Sequence, residues 1–186
     1  MATNESPPPC GGELATAYER ERSDPGGGPT SSSAQIVEIA RGWIGTPYVH
    51  QASLKGVGCD CLGLLRGLWR EIHGDEPEAI PPYLPDWDVG GSETLRDGLA
   101  RHLAPVDLAA MAPGDVVLFR MVARAAARHC AILAEQSGAL SLIHARQNKR
   151  VGEEPFTPFW RQKLAYAFRL STLPSPLAGE EEKSRG

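Results

Sequence analysis

Residues 129–146 read HCAILAEQSGALSLIHAR. Two apolar runs of strand length flank Gln136-Ser137-Gly138-Ala139, and a Ser-Gly pair between such runs signals a tight hairpin turn. If Ser137 and Gly138 form a two-residue turn, Gln136 pairs with Ala139 and His129 falls opposite Arg146. His144 then lies on the same face as His129, one diagonal step of roughly 7–8 Å away, close enough for two imidazole rings to touch. A turn of odd length without a bulge would put the rings on opposite faces.

The two-fold period continues on either side of this hairpin. The run DVVLFRMV (115–122) follows the turn signal Pro113-Gly114-Asp115, and KLAYAFRL (163–170) closes the region, so both predict strands. Upstream the period is helical. Ile36, Val37, Ile39, Ala40, Trp43 and Ile44 fall on one stripe, with Ser31 to Ser33 as N-cap candidates and Gly45 and Pro47 as the stop. From Cys61 a second stripe of Leu64, Leu65, Leu68, Trp69 and Ile72 runs to Gly74. The Pro-rich span 76–91 predicts loop, after which Ser92 is expected to cap a third helix through Leu95, Leu99 and Leu103. Helices followed by strands predict an α+β fold, N-terminal helices packed on a small antiparallel β-sheet.

With 186 residues and 41% hydrophobic content, the chain suffices for one core of ordinary domain size. Residues 1–33, rich in Pro, Gly, Ser and charge, predict a flexible leader; 34–171 make the domain, and 172–186 a flexible tail. A formal charge of −4 gives no basic field to attract nucleic acid, and no unbroken apolar run is long enough for membrane insertion. The N-terminus lacks a basic segment followed by an apolar one, so synthesis as a cytoplasmic protein is expected. Four cysteines, Cys10, Cys59, Cys61 and Cys130, are expected as reduced thiols.

Cys61 is the candidate nucleophile. A thiol in the first turn of a helix meets unpaired backbone N–H groups and the positive end of the macrodipole, both of which favour thiolate. His129 is placed to take the thiol proton, and His144 to hold that imidazole in one tautomer, as a third group does in a triad. Plain alternatives stand beside this: a small buried cysteine, and two unrelated histidines in a sheet. A zinc clip from Cys59, Cys61, His129 and Cys130 is disfavoured because adjacent strand residues point to opposite faces, which also puts Cys130 in the core, away from His129. No metal and no cofactor are expected. Cys59 reads as a loop residue, and His50 as a candidate for the cleft wall.

Taken together, GTPYVHQ (45–51), GCDCLGLL (58–65), APGDVVLF (112–119), RHCAILAE (128–135) and LIHAR (142–146) resemble the NlpC/P60 family of cell-wall peptidases, in the branch found with phage tails and gene transfer agents. The resemblance spans about residues 36–170 and implies a papain-like core. It implies Cys61 as nucleophile within Asp60-Cys61-Leu62-Gly63, His129 as general base and His144 as orienting residue. It also matches Gly45, Pro47 and Tyr48 to a Gly-x-Pro-Tyr whose tyrosine lies beside the nucleophile. Tyr48, Asp60 and His50 are thereby candidates for the substrate or oxyanion side of the site. The implied reaction is hydrolysis of the amide between D-glutamate and the diamino acid in peptidoglycan stem peptides, with tail-like structural proteins as partners and action on the cell wall after delivery. An amidase or acyltransferase on the same Cys-His pair, or a non-catalytic tail module, are the alternatives. Leu62 replaces the usual serine and Val49-His50-Gln51 the usual Trp-Gly-Gly, which bears on subsite shape more than on the chemistry.

Two basic clusters, Arg120, Arg124 and Arg128 before His129 and Arg146, Lys149 and Arg150 after His144, are expected to form a rim that attracts carboxylates, or else a solvated surface.

Overall fold

A computed structural model describes residues 31–83 and 92–171. The order is α1 (Ser31–Arg41), β1 (Ser53–Leu54), β2 (Gly58–Cys59), α2 (Cys61–His73), α3 (Thr94–Ala100), β3 (Ala104–Val106), β4 (Val116–Phe119), β5 (His129–Gln136), β6 (Ala139–His144), β7 (Gly152–Pro155), α4 (Pro158–Lys163) and β8 (Leu164–Arg169). β1 and β2 form a small ribbon, and the other six strands form one sheet in the order β3-β8-β4-β5-β6-β7, antiparallel throughout. The expected α+β arrangement is therefore present.

The β5–β6 hairpin has the register that its turn dictates. Ser137 (φ 52°) and Gly138 (φ 81°) both lie in the left-handed region, as the favoured two-residue turn requires. Gln136 pairs with Ala139, and the ladder runs back to Ile132 opposite Ile143. With a period of two, this puts His129, Ala131 and Leu133 on one face and Cys130, Ile132 and Ala134 on the other.

Both faces of the sheet are covered, which is why β4 reads as an unbroken apolar run with all four residues buried. Val116 and Leu118 join Cys130, Ile132 and Ile143 under α1 and α2, against Ile36, Trp43, Leu64 and Leu68. Val117 and Phe119 face the other way, with Leu133, Leu142, Phe156 and Trp160. The helical layer is tight. A Cβ on Gly67 would fall 2.0 Å from the Trp43 ring, and one on Gly63 would fall 1.9 Å from the Ala52 carbonyl oxygen. The first turn of α2 is thus pressed against the loop before it, which fixes the position of Cys61.

Several expectations need correction. Ser31 to Ser33 lie inside α1 rather than ahead of it, and Ile44 is 46% exposed because the helix proper ends at Arg41 and the chain turns there. Glu93, not Ser92, occupies the N-cap of α3; its carboxylate accepts from the Ala127 N–H (3.0 Å) and pairs with Arg120 (2.7 Å). Leu103 lies beyond that helix yet is buried. Cys59 is a fully buried residue of β2, not a loop residue. Nearly all of the proposed leader, the tail, Cys10 and residues 84–91 of the Pro-rich span lie outside the described residues.

Candidate active site

Asp60 organises the approach to Cys61. Its backbone is extended (φ −99°, ψ −173°), as an N-cap requires, and its Oδ1 accepts from the Gly63 N–H at 2.7 Å. Its Oδ2 accepts from the Gln51 N–H (2.7 Å) and the Tyr83 hydroxyl (2.6 Å), with His50 Nδ1 at 3.4 Å. The carboxylate is buried, and these donors satisfy it. One side chain therefore starts α2, pins the 45–52 loop and draws in Tyr83.

Cys61 stands half-buried at the first position of α2, over the beginning of β5. Cys130 faces the helices, as expected, but it is more than core filling: its Sγ donates to the Cys61 carbonyl oxygen at 3.2 Å. The Cys61 thiol is held well below its ordinary pKa by the hydrogen bond from Cys130, by the hydrogen bond and charge of His129, and by the Cys130 backbone N–H; burial opposes them. The same arrangement, with burial, pushes the Cys130 thiol up. Cys59, nearby in sequence, is pushed up to about 12 by burial first and then by the charges of Asp60 and Cys61.

On the opposite face of β5, His129 Nε2 lies 2.8 Å from His144 Nδ1. The other ring nitrogen of His129 is the one left for the thiol. His144 is 2% exposed, and burial, then the charges of His129 and Arg146, pull its pKa down to about 3, so it is neutral at working pH. Trp160 encloses the pair, stacked on His129 with ring centroids 5.6 Å apart and edge-on to His144 at 5.1 Å. Beyond His144, Glu154 Oε1 lies 3.2 Å from His144 Nε2. The structure therefore aligns Cys61, His129, His144 and Glu154.

Tyr48 packs beside the site, where burial and the charges of Asp60 and Cys61 raise its hydroxyl pKa. His50 is held by the Tyr83 carbonyl oxygen (2.9 Å) and Asp60, edge-on to the Tyr83 ring. Half of the basic rim is tied down by named partners: Arg120 pairs with Glu93, Arg146 with Glu154 (3.2 Å), and Arg150 donates to the Gly45 carbonyl (2.8 Å). Sequence reasoning did not find Glu154, Trp160, Tyr83 or the part played by Cys130. Glu154 sits in GEEP, a short edge strand with no apolar alternation, so no periodicity marks it.

The NlpC/P60 family model matches residues 45–169, more than half of the chain. A curated relative, gamma-DL-glutamyl hydrolase of Bacillus subtilis, is 27% identical over 154 residues, covering 80% of this chain and 32% of that protein. Solved structures with the same fold include an NlpC/P60 family protein from Bacillus cereus (22% identity, TM-score 0.54, 78% of this chain and 42% of that one). NlpC2 from Trichomonas vaginalis is another (16% identity, TM-score 0.51, 75% and 47%). The chain thus spans about a third of the length of its curated relative, and the structural likenesses speak to fold alone. The match across the sequence from Gly45 to Arg169 identifies the chain as a member of the NlpC/P60 family, a class of cysteine hydrolases.

Proposed function

We propose that the chain is a cysteine endopeptidase that hydrolyses an amide bond in peptidoglycan stem peptides, with the D-glutamyl bond to the diamino acid as its target. The observation that carries the proposal is the line from the helix-capped Cys61 thiol, lowered in pKa, to His129 and the buried neutral His144. The Cys61 thiolate attacks the scissile carbonyl carbon, and imidazolium His129 donates its proton to the leaving amine. His129 then takes a proton from water, which hydrolyses the thioester and frees Cys61. The Cys61 backbone N–H in the first turn of α2 and the Tyr48 hydroxyl are the candidate donors to the tetrahedral oxyanion. His50, beside Asp60 and Tyr83, lines the substrate side. The choice of bond is supported by the curated relative's name, which describes hydrolysis at a glutamyl link. Delivery to the wall within a phage-tail-like particle is supported by the resemblance of the five motifs to that branch of the family.

The test uses purified wild type and Cys61→Ala incubated with muropeptides, with products read by mass spectrometry. Cleavage between D-glutamate and the diamino acid by wild type alone is the expected outcome. Equal products from both proteins, or none from either, would overturn the proposal.

A further inference from the structure

The side chains around His144 come from three elements besides its own strand. His129 of β5 approaches Nδ1 at 2.8 Å; Glu154 of β7 approaches Nε2 at 3.2 Å; Trp160 of α4 lies against the ring; Arg146 follows β6. Glu154 Oε1 accepts from Trp160 Nε1 at 2.7 Å and Arg146 Nη1 at 3.2 Å, and lies 3.2 Å from His144 Nε2. Glu153, the preceding residue, points the other way to Arg41 and Ser141, so the alternation of β7 delivers Glu154 alone to this site. The Glu154 side chain is partly shielded, at 30% exposure, while the His144 side chain is sealed at 2%.

We infer that Glu154 is a positioning residue that fixes the direction of the hydrogen-bond chain running through His144 and His129 to Cys61. The inference rests on the reading of those three residues as the catalytic line. A carboxylate only accepts, so beside Glu154 the single proton of neutral His144 resides on Nε2, leaving Nδ1 as an acceptor. That acceptor selects the Nε2–H form of neutral His129 across the 2.8 Å contact. His129 Nδ1 is then bare, and it is the nitrogen free to take the Cys61 proton. Once it does, imidazolium His129 donates from both nitrogens, to Cys61 and to His144 Nδ1, with Glu154 supplying negative charge two links away. If the proton of His144 sat on Nδ1 instead, it would confront the Nε2–H of His129, and the tautomer able to accept from the thiol would be disfavoured. A third member that is a histidine has this ambiguity, and a carboxylate behind it removes the ambiguity.

The experiment compares wild type, Glu154→Ala and Glu154→Gln by two readouts that need no substrate: the 15N chemical shifts of the histidine ring nitrogens, and the site-resolved rate of Cys61 alkylation by iodoacetamide across pH. Wild type is expected to show His144 as the Nε2–H tautomer. Glu154→Ala should give a mixture of tautomers and move the Cys61 alkylation profile up by about one pH unit, roughly tenfold slower reaction on its acid limb. Glu154→Gln keeps a carbonyl oxygen able to accept from Nε2–H but loses the charge, so the tautomer is kept and the profile moves by a smaller amount. Should the alanine variant fail to fold, the glutamine variant decides: an unmoved alkylation profile overturns the inference, as do wild-type tautomers and an unmoved profile in a folded alanine variant. Failure of the substrate reading is distinguishable. Wild type that leaves muropeptides intact while Glu154→Ala shifts the tautomers contradicts the proposed reaction and leaves the role of Glu154 standing; muropeptide cleavage with unshifted tautomers and profile does the reverse.

Discussion

The two faces of β5 carry consecutive residues to opposite sides of the same nucleophile. On the helix face, Cys130, Ile132 and Ala134 meet Leu64, Leu65 and Leu68 in an apolar layer whose one polar gesture toward the site is a thiol. On the other face, His129, Ala131 and Leu133 lie among Phe119, Phe156 and Trp160, and a polar line of His129, His144 and Glu154 is threaded through that apolar setting. The helix face determines where Cys61 stands. The far face determines where its proton goes, and His129 there adds to Cys130 in lowering its pKa. Position and chemistry are thus largely separate in the structure, and mutations on the two faces should separate them in solution.

The largest effect is expected on the far face: His129→Ala should lower kcat on muropeptides by about 10²- to 10⁴-fold, the usual contribution of a general acid–base, with little change in the thermal melt. A melt that collapses in parallel with activity would break the separation. Leu68→Ala on the helix face should do the opposite. Removal of this fully buried side chain should cost about 2–5 kcal/mol in denaturant unfolding, while the pH at which Cys61 alkylates stays where it was. A shifted alkylation profile in that variant would show that packing and ionisation are coupled.

A third effect comes from His144. Its pKa is about 3 in the fold against 6.5 in the unfolded chain, so below the unfolded value the unfolded state binds more protons and stability falls as pH drops from about 6.5 towards 3. His144→Gln should flatten the upper part of that loss, between roughly pH 6.5 and 5, before carboxylates titrate; an unchanged slope there would contradict the buried neutral imidazole. The smallest effect sits where the faces meet. Cys130→Ala removes the weak S–H donor beside the Cys61 sulfur and should raise the Cys61 alkylation midpoint. No shift would assign the ionisation of Cys61 to the His129 side alone.

Much of this architecture was legible in the sequence because it obeys simple periods. The Ser137-Gly138 turn fixes the hairpin register, and parity then places His129 and His144 on one face. The second helix begins at Cys61 and is capped at Gly74, where the leucine stripe and the glycine put its ends. Other features were hidden for physical reasons. β7 is held by Glu153 pairing with Arg41 and by backbone bonds to β6, so its four residues show no apolar alternation. Cys130 faces away from His129 along the strand, as parity requires, yet reaches Cys61 because α2 begins over the strand's first residues; no local pattern encodes that crossing. The place of Asp60 beside Cys61 marks it in the sequence, but not that its buried carboxylate caps the helix and anchors the loop.

The most direct measurement is the pH dependence of iodoacetamide reaction at each cysteine of the wild-type protein, resolved by peptide mass spectrometry. Cys61 should react with a midpoint well below the roughly 8.5 of a free thiol, while Cys59, pushed up to about 12, stays unmodified at neutral pH. A Cys61 midpoint at or above that of a free thiol would contradict the central claim that the helix start and the His129 face together prepare a nucleophile.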